Sequence, residues 1–283
     1  NTFGLSYISD VYLTNGFVMR VKKILAFPFL SFFLFSFSFA QQTALKQMYA
    51  AVDALGQVSF TFKSLERIED NSLYVREMNV NMQRQPLHIE LEMIKPNKGT
   101  RVVYDPAYRT THAKVYVNLG IGSLPTDFAV LGGTLMKNAH HPLTASGFQP
   151  IVDICQAAEA VAHKEQRYEE IFSDKGIVSY DGRQCQVIEV NDKQYGTRRY
   201  IASAGETVMD IAAKFKINEF KILELNSAVT TFSQTLGGRE VTLPTSYAQS
   251  VVLYLDVQSH LPYMVEVEDE KGLFERYYFY DVK

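Results

Sequence analysis

The chain has 283 residues, of which 47% are hydrophobic and 21% charged, with a formal net charge of −3. This composition excludes a largely disordered chain, and the charge balance leaves no basic surface for nucleic acid. The length allows one large domain or two ordinary ones.

Met19-Arg20-Val21-Lys22-Lys23 is a short basic segment, followed by the apolar run Ile24–Phe39. Ser38-Phe39-Ala40 sets small residues three and one positions before a cut, the pattern a signal peptidase accepts. The run is short for the roughly 20 residues that span a bilayer, and Pro28 interrupts it. Residues 19–40 therefore read as a signal peptide, and residues 1–18 as a non-native upstream extension. The expected mature chain starts near Gln41, is exported to the periplasm or cell envelope, and keeps no membrane span after cleavage. In that oxidising compartment Cys155 and Cys185 are free to pair, and each is equally suited to be a small core residue.

Leu45, Met48, Val52 and Leu55 share one face of a helix that ends at Gly56. A long alternating region follows. Phe60 and Phe62 begin one strand, while Tyr74, Met78, Val80 and Met82 share one side of the next. Leu87, Ile89, Leu91 and Met93 then alternate with His88, Glu90 and Glu92. Period two over that distance predicts an antiparallel sheet with one buried face. Short strands are expected at Thr100–Tyr104 and Lys114–Asn118. Leu119–Leu143 is rich in Gly and Pro and reads as a long surface excursion. A helix over Phe148–His163 and strands at Ile177–Tyr180 and Gln184–Val190 come next. The chain closes with strands at Val251–Val257, Tyr263–Glu268 and Leu273–Val282.

Between these strand sets, Arg199–Tyr247 has a plan of its own. Tyr200-Ile201-Ala202 is a short strand, Thr207 caps a helix over Val208–Phe215, and Asn218 caps a second over Phe220–Leu225. Glu240–Leu243 returns as a strand closed by Pro244. The phrases Gly205-Glu206-Thr207-Val208, Ile211-Ala212, Asn226 and Val241-Thr242-Leu243-Pro244 resemble the LysM domain, a small βααβ module that binds N-acetylglucosamine-containing glycans. The resemblance covers residues 200–245 and implies peptidoglycan as a partner. It implies a groove with Gly205, Glu206, Thr207 and Val208 on one wall and Asn226, Ser227 and Ala228 on the other. The loop Val229–Leu236 is longer than the family pattern. Gly205, Thr207 and Asn226 are also ordinary turn and cap residues.

The flanking segments, 41–199 and 246–283, resemble the periplasmic lipoprotein-carrier fold through Gln57–Phe62 and Lys95–Asp105. Ser59–Asp105 and His140-His141 are closer still to an envelope family of unknown function in Gram-negative bacteria. The resemblance implies an α+β fold, a curved antiparallel half-barrel with helices on its concave side, and a lipid or acylated ligand. The LysM-like unit is then an insertion. If 198–200 and 250–255 are paired strands, it sits at a hairpin tip and can be excised without unfolding the host.

Motifs for catalysis are weak. Cys155 and His163 lie eight residues apart on one helix, about 12 Å along its axis. The adjacent pair His140-His141 does not match metal-ligand spacing and reads as surface or hinge chemistry. No cofactor, metal site or catalytic residue is expected. The sequence reads as a non-catalytic binding protein, with a LysM-targeted wall hydrolase or a purely structural envelope protein as the alternatives.

Overall fold

The computed structural model describes residues 43–117 and 122–283. The upstream extension and the signal peptide lie outside the described residues. Helix α1 covers residues 43–53 and buries Leu45, Met48 and Val52, the stripe expected from the spacing.

Strands β1 (Gln57–Arg67), β2 (Leu73–Gln83), β3 (His88–Lys95), β4 (Arg101–Tyr104), β5 (His112–Tyr116) and β6 (Pro125–Ala129) follow. Next come α2 (Gly133–Met136), α3 (Gln149–Lys164) and α4 (Tyr168–Ile171). Strands β7 (Phe172–Tyr180) and β8 (Arg183–Asn191) precede β9 (Thr197–Ile201), α5 (Val208–Phe215), α6 (Glu219–Leu225) and β10 (Glu240–Pro244), the unit that lies between β8 and the closing strands of the chain. The chain closes with β11 (Ser250–Asp256), β12 (Pro262–Asp269) and β13 (Gly272–Tyr280).

Among the described residues, eleven strands form one antiparallel sheet in the order β6-β5-β4-β3-β2-β1-β13-β12-β11-β8-β7. β6 and β7 are its free edges, so the sheet is open. Alternation decides which face is covered: Val58 and Phe60 of β1 pack with Val80 and Met82 of β2 and Ile89 and Leu91 of β3 beneath α1 and α3. Bulges between Glu77 and Met78, Asp174 and Gly176, Tyr254 and Leu255, and Val267 and Glu268 bend individual strands. A sheet this wide curls rather than lying flat. The fold is thus α+β with a curved, open antiparallel sheet. Among the described residues no helix is long and apolar enough to cross a membrane.

The structure corrects three expectations. The first concerns the segment 119–143, which is no mere excursion. Its described part supplies edge strand β6, paired along His112–Tyr116 of β5, and α2 with Met136 buried. Gly and Pro hid a strand whose residues are mostly exposed and therefore lack an apolar alternation.

The second concerns the insertion. β9 pairs with β10, Tyr200 opposite Val241, and not with the strand after it. β11 pairs with β8 instead, Ser250 opposite Asn191, so the β8–β11 hairpin carries the unit. The third is independence. Val208, Ile211, Phe220, Ile222 and Leu243 of the unit belong to the same buried cluster as Phe60, Ile188 and Phe274 of the sheet. The unit is built into the host core, because α6 and the loop before it bring Asn218, Glu219, Phe220 and Lys221 onto the sheet.

Candidate functional site

The helix-covered face of the sheet changes character toward one end. β1 carries Ser64 and Glu66 in phase with Val58 and Phe60, and β13 carries Glu275 in phase with Tyr277 and Phe279. All three polar groups are buried. In β13 a register shift sets Glu275 opposite Val267 and Leu273 opposite Glu268, leaving Phe274 as the extra residue. A bulge of this kind re-aims side chains. Here Phe274 packs on His140 and Phe220 while its neighbour Glu275 meets His140 as well.

Glu275 is the centre of a closed polar cluster. Its Oε1 lies 2.7 Å from His140 Nδ1 and accepts from Asn218 Nδ2 at 2.6 Å, and its Oε2 accepts from the Tyr247 hydroxyl at 2.8 Å. His140 Nε2 donates to the Arg67 carbonyl, which can only accept, at 2.6 Å. His141 completes the group, with Nδ1 3.0 Å from Glu219 Oε1 and Nε2 2.9 Å from the Tyr247 hydroxyl. Burial alone would raise the Glu275 pKa, but His141 and His140 hold it far below the usual carboxylate range. Burial alone would lower that of His141, and the carboxylates of Glu219 and Glu275 overcome it, holding the imidazole well above its ordinary value. Burial, with Glu275 and Glu219 nearby, pushes the Tyr247 hydroxyl well above its ordinary value. The expectation of a surface or hinge pair fails: His140 is fully buried and His141 partly so.

A second cluster lies beside the first. Asp269 accepts from Arg67 through both carboxylate oxygens, and Lys221 Nζ donates to Asp269, Glu224 and Glu270, each at 2.7 Å. Burial opposes the charge on Asp269, yet Arg67 and Lys221 bring its pKa down to about 2. The carboxylates of Glu224, Asp269 and Glu270 converge closely enough to hold a cation, and the Lys221 ammonium already fills that position. Both clusters join the inserted unit, through Asn218–Glu224, to β1, β12 and β13.

Next to the first cluster is a cavity of about 490 Å³, within the size range of small-molecule sites. Its walls are largely apolar: Val52 of α1 and Leu55 just after it, Val58 and Met82 from the sheet, Phe148 and Ile154 from α3 and the residue before it, and Met209, Ala212 and Ile217 from the inserted unit. His141, Glu219 and Tyr247 form its inner polar end. A chain of polar groups borders it elsewhere. Arg84 donates to the Val52 and Leu55 carbonyls, closing the end of α1, and to Gln149 Oε1 at 2.5 Å. Gln149 donates to Asp153 at 2.7 Å, and Lys216 lies 3.8 Å from Asp153.

Comparison with known proteins adds the family. Residues 57–221 match the family described as "Protein of unknown function (DUF1571)", a match over more than half the chain. The chain belongs to that family. Within this DUF1571 member the matched segment runs through β9 and α5 into α6. No curated protein matches the chain. Among solved structures it is similar to the Mycobacterium tuberculosis lipoprotein LppX at 9% identity, covering 85% of this chain and 93% of that one, with TM-score 0.38. A putative outer membrane lipoprotein-sorting protein domain from Vibrio parahaemolyticus is similar at 11% identity, with 86% and 92% covered and TM-score 0.31. MucB of Pseudomonas aeruginosa, in its complex with MucA, is similar at 15% identity, with 86% and 56% covered and TM-score 0.38.

The residues assigned to a glycan groove in the DUF1571 chain lie apart from the cavity's polar end. Gly205 has φ +80°, a left-handed turn open to solvent beyond its Cα. Glu206 accepts from Tyr200, the Ser203 N–H and Lys214, and these bonds, led by Lys214, bring its pKa down to about 2. Thr207 forms a capping box with Asp210, and the Val208 side chain is fully buried, so Val208 offers only backbone. Asn226 bonds both N–H and carbonyl of Thr242 and ties α6 to β10, while Ser227 and Ala228 are exposed. The long loop joins the two walls: the Leu236 N–H donates to the Glu206 carbonyl, and Gln234 donates to the Ala228 carbonyl.

Cys155 and Cys185 are both free and buried. Burial pushes the Cys155 thiol up to about 12, the opposite of what a nucleophile needs. Sequence reasoning missed Glu275, Arg67, Lys221, Asp269 and Tyr247. Their one local signal is a carboxylate in apolar phase, Glu275 with Tyr277 and Phe279, and Glu66 with Phe60 and Phe62.

Proposed function

We propose that the protein is a non-catalytic binding scaffold of the cell envelope. Its cavity takes the hydrocarbon chain of a lipid or acylated ligand, and its inserted βααβ unit binds peptidoglycan in the manner of a LysM domain. The observation that carries the reading is the cavity of about 490 Å³, walled by Val52, Val58, Met82, Phe148, Met209 and Ala212. Transfer of an alkyl chain from water into such walls is favourable by about 0.8 kcal/mol per buried CH₂. The paired order of β9 and β10, with α5 capped by Thr207 and α6 by Asn218, supports the glycan arm. Export follows from the basic-apolar-small pattern of residues 19–40.

Native mass spectrometry of the mature protein after mild extraction tests the cavity. A co-purifying acyl species is expected, and its loss in Ala212→Leu, whose larger side chain enters the cavity. No acyl species, together with turnover of a wall or ester substrate, would favour the hydrolase instead. Retention on purified peptidoglycan tests the other arm. Exchanging Gly205, Ser227 and Ala228 for bulkier residues should reduce it.

A further inference from the structure

We infer that the cavity selects an amphiphile with a single anionic head, and that Lys216 at its rim receives the charge. The inference rests on the proposal that the cavity holds an acyl chain.

The charged side chains lining the cavity are Arg84, His141, Asp153, Lys216 and Glu219. Most are committed. His141 and Glu219 are bound to each other at 3.0 Å, and His141 also meets Tyr247. The Tyr247 hydroxyl in turn donates to Glu275, so the inner end has spent its donors internally. Arg84 spends one guanidinium nitrogen on the backbone carbonyls at the end of α1 and another on Gln149. Asp153 accepts a hydrogen bond from Gln149.

Lys216 is different. Among the described residues its one ion pair is with Asp153 at 3.8 Å, and the two side chains are 48% and 42% exposed. A pair that long and that wet contributes about 0–1 kcal/mol, so little holds the ammonium in place. Its base is nevertheless fixed. Lys216 caps α5 in the left-handed region, φ +52°, with its N–H bonded to the Ala212 carbonyl. Ala212 and Ile217, on either side of that anchor, are buried and line the cavity. A chain lying along Ala212 and Met209 therefore brings its head to a cation that exchanges one loose carboxylate partner for a closer one. The inner end cannot serve an anion, because Glu219 and Glu275 are there.

Isothermal titration of the full protein, below the ligands' micelle concentrations, with palmitate, 1-hexadecanol and a 16-carbon lysophosphatidate tests this. Both anions should bind more tightly than the alcohol by about fivefold to twentyfold, the size of one charge-assisted bond at a wet rim. The tighter of the two names the head as carboxylate or phosphate. Lys216→Gln should erase the advantage while leaving hexadecanol binding unchanged, and Asp153→Asn should tighten both anions but not hexadecanol. Thermal unfolding should show the variants equally folded. Equal binding of acid and alcohol, or equal weakening of both by Lys216→Gln, would overturn the inference and leave the acyl cavity intact. Failure of all three amphiphiles to bind would remove the cavity proposal as well.

Discussion

Glu275 and His141 set opposite limits on the pH at which the inserted unit stays docked. Glu275 has a folded pKa below its ordinary 4.5, so its contribution is present above that value and declines as pH falls toward the lowered one. His141 has a folded pKa above its ordinary 6.5, so its contribution is full below 6.5 and declines as pH rises toward the raised one. The pair is fully effective between about pH 4.5 and 6.5. Thermal unfolding across pH should peak in that window. Glu275→Gln should flatten the acid side, and His141→Gln the alkaline side. Lys221→Met should be more severe than a surface change. It leaves the buried Asp269 and the partly buried Glu224 short of a cation, and breaking a buried pair typically costs about 3–5 kcal/mol. Denaturant unfolding measures this directly, and a change under 1 kcal/mol would show that Arg67 alone satisfies the carboxylates. None of these partners was legible in the sequence. Arg67 and Asp269 are separated by 202 positions and His140 and Glu275 by 135, so no local spacing links them.

The bulge in β13 is the element that makes the polar layer. It faces Phe274 and Glu275 onto the same loop, and the Phe274 ring lies under Arg67 and Lys221 as well as His140. Phe274→Ala should cost about 3–5 kcal/mol, as for other buried rings, and should weaken Asn218–Glu275 docking with it. Loss of protection at the α6 amides in hydrogen exchange, beyond loss in α3, would register that coupling. Most strands were legible, because half-buried strands print their period in residues such as Met78, Val80 and Met82. The helices α1, α3, α5 and α6 were legible by stripe and cap. β6 was not, since Pro125–Ala129 has no buried position, and α4 was too short to print a period. The bulge itself escaped, because one extra residue in a strand of alternating Phe and Tyr leaves no compositional mark.

At the scale of the molecule, the inserted unit and the sheet are one folding problem. The βααβ order was readable from Thr207, Asn218 and Pro244, but its docking was not, because Asn218–Lys221 resembles any helix start. Joining residue 195 directly to 246 by a short turn is geometrically easy, since β8 and β11 are already paired. It would nonetheless strip the cover from Phe274, Glu275 and Asp269. We expect the trimmed protein to lose its cooperative thermal transition, and an unchanged melting curve would show that the host stands alone. The cavity depends on the same cover, because Met209, Ala212 and Ile217 supply its wall. The most direct measurement of the central claim is therefore location. The mature protein, photolabelled with a diazirine-bearing palmitate and digested for mass spectrometry, should carry the label on Met82, Phe148, Met209 and Ala212. Labelling confined to the opposite face of the sheet, around Tyr254, Tyr278 and Tyr280, would contradict it.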